Sequence, residues 1–303
     1  MPSGVFIVKL RGGLGNQLFQ YAFAKYLQKS FNRTVCLDTS SVELENSARR
    51  FMLDKFYVDD EIKSLNLKDA VWNRILNNEN VFFRRASKFI LILSSPYSGF
   101  FIEGRNIYSE QKLIKSLKKT QSAVFDGYWQ NLYYINEIKD ELKQDLKIKE
   151  PLLQKFITEN NCLIEKYKHN RKICLHIRRT DFINTKSIHL NYGKDYYKKA
   201  IEKLDISEQA VFLIFSDDIE WCKKNVNFIK HEVLFVDDDL LKNNSDFNQF
   251  MLMPLCDDFV IPNSTFSWWA AWLATADDKK VVCPEKWVKN RQSKILVDEW
   301  IKI

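Results

Sequence analysis

Val5-Phe6-Ile7-Val8-Lys9-Leu10-Arg11-Gly12-Gly13-Leu14-Gly15-Asn16-Gln17-Leu18 begins as a short apolar run and leaves it through a glycine loop. Val5–Leu10 reads as a strand, and residues 16–29 beyond the loop read as a helix. Strand, glycine turn and helix in that order make the first step of a parallel α/β sheet. Glycine lets the backbone approach a ligand closely, and the N–H groups of a helix start attract anions. The chain of 303 residues holds eight glycines, where average usage would supply roughly 21. Three of the eight, Gly12, Gly13 and Gly15, fall in this one loop.

The alternation continues outward. Residues 34–38 and 123–126 read as strands in the first half, and 173–177, 211–216, 233–236, 258–262 and 281–283 in the second. Helix-like segments at 131–147, 151–168, 194–204, 217–226, 246–255 and 265–275 fall between them. The predicted class is α/β, with two Rossmann-like halves whose parallel sheets face a central cleft. A polar stretch, Lys143–Pro151, ends on a proline able to start a helix. It divides the chain into domains 1–150 and 151–285, with 286–303 expected to pack back on the first domain.

Composition bounds the function. Hydrophobic content of 46% with 28% charge is that of a folded chain. A net charge of +7 favours an anionic partner: a phosphate-bearing substrate, a nucleic acid or a membrane surface. The basic residues are scattered among acids, so no nucleic-acid partner is expected. Six cysteines without a C-x-x-C pair read as reduced core thiols. No signal-peptide core and no run of apolar residues long enough to span a bilayer is evident, which reads as cytoplasmic. Residues 82–93, Phe-Phe-Arg-Arg-Ala-Ser-Lys-Phe-Ile-Leu-Ile-Leu, fit either a surface helix entering a strand or a contact with the cytoplasmic face of the inner membrane.

Three further loops follow strands. In His176-Ile177-Arg178-Arg179-Thr180-Asp181, strand alternation puts His176 and Arg178 on one side. Paired guanidinium groups match diphosphate oxygens, and Asp181 offers either an ion pair with Arg179 or a base. In Ser216-Asp217-Asp218, at least one aspartate caps the next helix, and the other could accept from the paired N–H donors of a guanine. Asn263-Ser264-Thr265-Phe266-Ser267 opens a helix with three hydroxyls, a cradle for phosphate. Asp126, at a strand end, is a second candidate base. Asp237-Asp238-Asp239 could hold a divalent cation, although a solvated turn is the commoner role of such a run. Gly13-x-Gly15 with Asp38 also permits an NAD(P)-dependent oxidoreductase, a reading that leaves Arg178, Arg179 and Asn263–Ser267 without a role.

Taken together the loops resemble the bacterial α1,2-fucosyltransferase family. The matching motifs are Gly-Gly-Leu-Gly-Asn-Gln-Leu-Phe-Gln-Tyr-Ala (12–22), His-Ile-Arg-Arg-Thr-Asp-Phe (176–182), Phe-Ser-Asp-Asp-x-x-Trp-Cys (215–222) and Asn-Ser-Thr-Phe-Ser-Trp-Trp (263–269). Gly-Tyr-Trp-Gln (127–130) and Tyr-Tyr-Lys-Lys-Ala-Ile (196–201) add to them. Thr180, Phe182 and Ala270 depart from the usual pattern without removing a charged group. The resemblance implies a GT-B arrangement, GDP-fucose as donor, a galactose-terminated oligosaccharide as acceptor, inversion of configuration, and a place in O-antigen or other surface-glycan assembly. It implies no metal and no other cofactor. It also implies that Arg178 holds the β-phosphate and that Gly13, Gly15 and Asn16 face the pyrophosphate from the first domain. Asn263, Ser264, Thr265, Phe266 and Ser267 would cradle it from the second, His176 and Asp217 would address the guanosine, and Gly127–Gln130 would lie near the sugars.

Overall fold

The apolar run after the N-terminus forms strand β1 (Val5–Lys9), with Phe6 and Val8 fully buried and Ile7 nearly so. A strand buried on both faces needs a continuous apolar run, as a parallel sheet covered on both sides requires. The computed structural model describes residues 4–43, 50–76, 80–83, 85–87, 99–103, 110–179, 192–206, 208–288 and 293–303. It divides into two units, Met1–Lys147 and Ile148–Ile303. The boundary thus falls within the polar stretch that marked it in the sequence.

The first unit adds β2 (Thr34–Asp38), β3 (Lys63–Leu65), β4 (Phe100–Ile102) and β5 (Ala123–Asp126) in the order β3-β2-β1-β5-β4, every pair parallel. Helix Leu14–Phe31 follows β1 and ends on Asn32 in a left-handed conformation (φ 48°). Its Phe23 packs into an aromatic cluster with Phe125, Trp129 and Tyr134. Strands β3 and β4, of three residues each, carry no periodic signal in the sequence.

The second unit contains β6 (Lys172–Ile177), β7 (Val211–Ser216), β8 (Glu232–Phe235), β9 (Asp258–Val260), β10 (Val281–Cys283) and β11 (Ile301–Lys302). Their order, β11-β10-β9-β6-β7-β8, is again parallel throughout. The second sheet winds outward in both directions from β6, whereas the first winds outward from β1 to β3, crosses to the far edge at β4 and returns inward to β5. The switch points lie between β1 and β5, and between β6 and β9. In such sheets ligands bind beyond the carboxyl ends at the switch point.

The C-terminal segment corrects one expectation. Residues 286–303 belong to the second unit: β11 pairs with β10, Trp300 packs on Trp268 at 5.5 Å, and Trp268 Nε1 donates to Ile295 O at 2.7 Å. The unpaired edge of β10 is satisfied by the nearest following chain. Two predicted long helices are each two helices. Residues 131–147 form Leu132–Asn136 and Lys139–Asp145, and 151–168 form Glu150–Glu159 and Asn161–Lys166. Buried Asn160 makes the second break, since its Nδ2 donates to Phe156 O and its Oδ1 accepts from Lys242 N.

All six cysteines are free thiols, five of them buried and Cys162 exposed. Among the described residues no helix is long and apolar enough to cross a membrane. Of residues 82–93, positions 82–83 and 85–87 are helical, with Phe82 and Phe83 exposed, and the others lie outside the described residues.

Candidate functional site

In the first unit the chain leaves β1 through Gly12, whose φ of +78° suits glycine. A Cβ there would also stand 2.6 Å from Asn16 Nδ2. Gly13 begins helix Leu14–Phe31, whose N-terminus has no side-chain cap and no acidic residue in its first turn. That positive end is therefore suited to an anion. Asn16 Oδ1 accepts from Gln130 Nε2 at 2.9 Å, which links this loop to the one after β5.

The rest of the 12–22 motif braces the loop. Gln17 Nε2 donates to the carbonyls of Gly12 and Arg50, and its Oε1 accepts from Met52 N. Gln20 accepts from Arg11 N and donates to Gly127 O, and the Tyr21 hydroxyl donates to Asp145 while accepting from Asp59 N. Asp126, a candidate base in the sequence, is buried and ion-paired to Arg11. This ion pair makes it a further brace of the loop.

In the second unit, His176, one residue before the end of β6, is buried, its Nδ1 2.8 Å from Ser267 Oγ. Burial, reinforced by the charge of Arg178, pushes its imidazole down to about 3. His176 is thus neutral in the physiological range. Arg178 Nε lies 3.4 Å from Asp217 Oδ2, while Asp217 Oδ1 accepts from Arg179 N at 2.9 Å. Arg179 Nε donates to Asp218 Oδ2 at 3.1 Å, and its guanidinium sits 3.8 Å above the Trp221 ring. Asp218 caps helix Ile219–Asn225 by accepting from Trp221 N and also holds the Arg179 guanidinium, while Asp217 orients Arg178.

Across the switch point, helix Thr265–Leu273 begins beyond β9. Ser264 is its N-terminal residue and makes no side-chain cap. Asn263 Nδ2 donates to Trp287 O, and its buried Oδ1 has no hydrogen-bond partner among the described residues. Ser267 is fully buried and donates to Ser264 O at 3.4 Å, and Phe266 lies 6.2 Å from the His176 ring. His176, Arg178, Asp217 and the Asn263–Ser267 helix start therefore form one cluster at the carboxyl ends of β6 and β9. Arg178 and an uncapped helix start supply what a diphosphate binds: a forked cation and backbone donors. Asp181 lies outside the described residues.

Two other sequence readings meet different surroundings. Asp38 is buried, with Oδ1 accepting from Ser40 N and Leu67 N and Oδ2 from Asn73 Nδ2, which leaves it no face for a ribose. Asp237 pairs with Lys223 at 3.1 Å and accepts from the backbone N–H groups of Asp239 and Leu240, so it organises a turn. Glu103 was not visible as a site residue, and Trp221 was visible only as a member of the 215–222 motif.

The sequence model of Glycosyl transferase family 11 matches residues 4–303. The chain belongs to this family. It is 31% identical to the O-antigen biosynthesis glycosyltransferase WbnK of Escherichia coli, over 97% of this chain and 99% of that protein. It is 29% identical to an alpha-1,2-colitosyltransferase of Escherichia coli, over 99% of both. A galactoside alpha-(1,2)-fucosyltransferase 1 of Plecturocebus brunneus is 27% identical over 34% of this chain and 29% of its own length. Among solved structures, the fucosyltransferase NodZ from Bradyrhizobium superposes with a TM-score of 0.54 at 14% identity, over 90% of this chain and 94% of NodZ. POFUT1 in complex with GDP-fucose gives 0.51 at 12%, over 91% and 96%. At such identities the likeness is one of fold, the GT-B-like pair of parallel α/β sheets. This family 11 glycosyltransferase carries its cluster of arginine and hydroxyl groups at the carboxyl ends of β6 and β9.

Proposed function

We propose that this family 11 glycosyltransferase moves L-fucose from GDP-β-L-fucose to the 2-hydroxyl of a terminal β-galactoside, with inversion, during assembly of an O-antigen or related surface glycan. One observation carries the reading. The His176–Ser267 contact of 2.8 Å joins the arginine loop to the uncapped helix start, so both serve one anion. Breaking the fucosyl–phosphate bond leaves negative charge on the departing GDP. Donors fixed in advance around that charge are commonly the largest catalytic contribution. Arg178, oriented by Asp217, is placed to meet the β-phosphate without a divalent ion. The GDP and GDP-fucose in crystals of NodZ and POFUT1 support the nucleotide, and the curated fucosyltransferase relatives support the sugar. Asp181 follows the arginine pair in sequence and is the candidate to take the acceptor proton.

The test is incubation with GDP-fucose and a panel of β-galactosides, followed by linkage analysis of the product. An α1,2-linked fucose is expected. No transfer to any galactoside, with GDP also failing to bind, would end the proposal. The whole-length match to a colitosyltransferase favours a second donor, since colitose is fucose without its 3-hydroxyl. The colitosyl donor run in parallel separates the two, because a family 11 enzyme built for colitose should prefer it. Peripheral contact with the inner membrane is part of the proposal. Phe82 and Phe83 are exposed, with Arg85 close by in sequence. Binding to anionic vesicles should fall when both phenylalanines become serine, and unchanged binding would remove the membrane from the scheme.

A further inference from the structure

The loop after β5 is built more rigidly than a connection needs to be. Gly127 sits so close to Glu103 that a Cβ would meet the Glu103 Cβ at 2.3 Å and Oε2 at 2.8 Å. Glu103 Oε2 accepts from Tyr128 N at 2.5 Å and from Trp129 N at 2.8 Å. Gln20 holds the Gly127 carbonyl, Gln130 is bonded to Asn16, and Asn131 caps the next helix by accepting from Tyr133 N. Trp129 takes a φ of +54°, rare for a bulky residue, and its ring stacks on Phe23 at 4.3 Å and 9°. Strain that the surroundings over-determine is concentrated at functional sites.

Everything in this loop points inward except one ring. Tyr128 is 41% exposed, while Trp129 beside it is 6% exposed. Tyr128 follows the strand next to the β1/β5 switch point, on the same carboxyl edge as the glycine loop. The Glu103 carboxylate holds the Tyr128 backbone N–H, which fixes where the ring stands. A flat exposed ring on a fixed backbone is suited to a sugar, whose C–H groups can lie on the ring face. Among common hexoses galactose fits best, because its axial 4-hydroxyl leaves the C3, C4 and C5 hydrogens on one side.

We propose that Tyr128 is the stacking platform for the terminal galactose of the acceptor, held in register by Glu103. The proposal rests on the reading of a galactoside acceptor and adds the residue that selects it. Tyr128→Ala should raise the acceptor KM by about tenfold or more while kcat at saturation stays within about threefold. The donor KM and the stabilisation by GDP should not change, which a misfolded variant could not satisfy. Tyr128→Phe should retain wild-type acceptor KM, since the ring face survives. An acceptor KM in Tyr128→Ala within about twofold of wild type would overturn the proposal, as would equal losses in Tyr128→Phe and Tyr128→Ala. Saturation-transfer NMR with methyl β-galactoside, without donor, separates the proposal from the reading beneath it. Transfer to the C3–C5 protons in wild type and its loss in Tyr128→Ala would support the platform even if the transferred sugar proved not to be fucose. Equal transfer in both, or none in either, would overturn it.

Discussion

Arg178 and Asp217 are held as a unit, and the unit predicts how each residue fails. A charge-assisted hydrogen bond is worth about 1.5–3 kcal/mol, and each 1.36 kcal/mol is about tenfold in rate. Arg178→Ala should lower kcat by roughly a hundredfold or more with the fold intact. Asp217→Asn keeps the shape but weakens the hold on the guanidinium, and a loss of about tenfold is expected. Steady-state kinetics alongside circular dichroism check both, and a folded Arg178→Ala with more than half of wild-type turnover would remove the assignment. His176 makes a separate prediction about pH. Its folded value of about 3 lies below the usual 6.5, so the unfolded chain binds the proton more tightly. The stabilisation it gives is complete above pH 6.5 and fades as pH falls toward 3. At pH 5 the loss is about 2 kcal/mol. Urea unfolding at pH 7.5 and 5.0 should show this difference in wild type and a smaller one in His176→Asn.

At the scale of elements, helix Leu14–Phe31 is locked by its polar side chains as much as by its apolar face. Fully buried Tyr21 bridges Asp145 and Asp59 N, and Lys25 adds contacts to the same two aspartates. Tyr21→Phe strands a buried donor and weakens the hold on a carboxylate, so it should cost about 1–3 kcal/mol in urea unfolding with turnover per folded molecule retained. The sequence shows this helix and the glycine loop because their signals are local. It shows Gln17, Gln20 and Tyr21 only as members of a motif. Their partners lie 33, 107 and 124 residues away, and nothing local distinguishes a brace from a ligand group. Glu103 was hidden for the same reason, since it meets Trp129 across 26 residues. The arginine loop and the Asn263–Ser267 helix start were legible because each is a run of functional groups directly after an apolar strand.

At the scale of the whole molecule, the arginine and hydroxyl cluster lies within one unit, so under the proposed function GDP alone should stabilise the protein. At a hundred times its Kd the gain is about 2.7 kcal/mol. A thermal-shift panel should show this for GDP and not for NAD, and Arg178→Ala should abolish it. Turnover should persist in EDTA. The two-unit division was readable from Lys143–Pro151, but the return of residues 286–303 was not, because a two-residue edge strand leaves no pattern and its place is set by the edge it covers. The distribution of thiols has a consequence for experiment. Cys36 is the only cysteine of the first unit, Cys162 is the exposed one, and Cys174, Cys222, Cys256 and Cys283 are buried in the second. An alkylating reagent followed by peptide mass spectrometry would mark Cys162 at once as an internal clock. Cys36 would then time the breathing of one half and the four buried thiols that of the other, a native two-channel stopwatch needing no engineered probe.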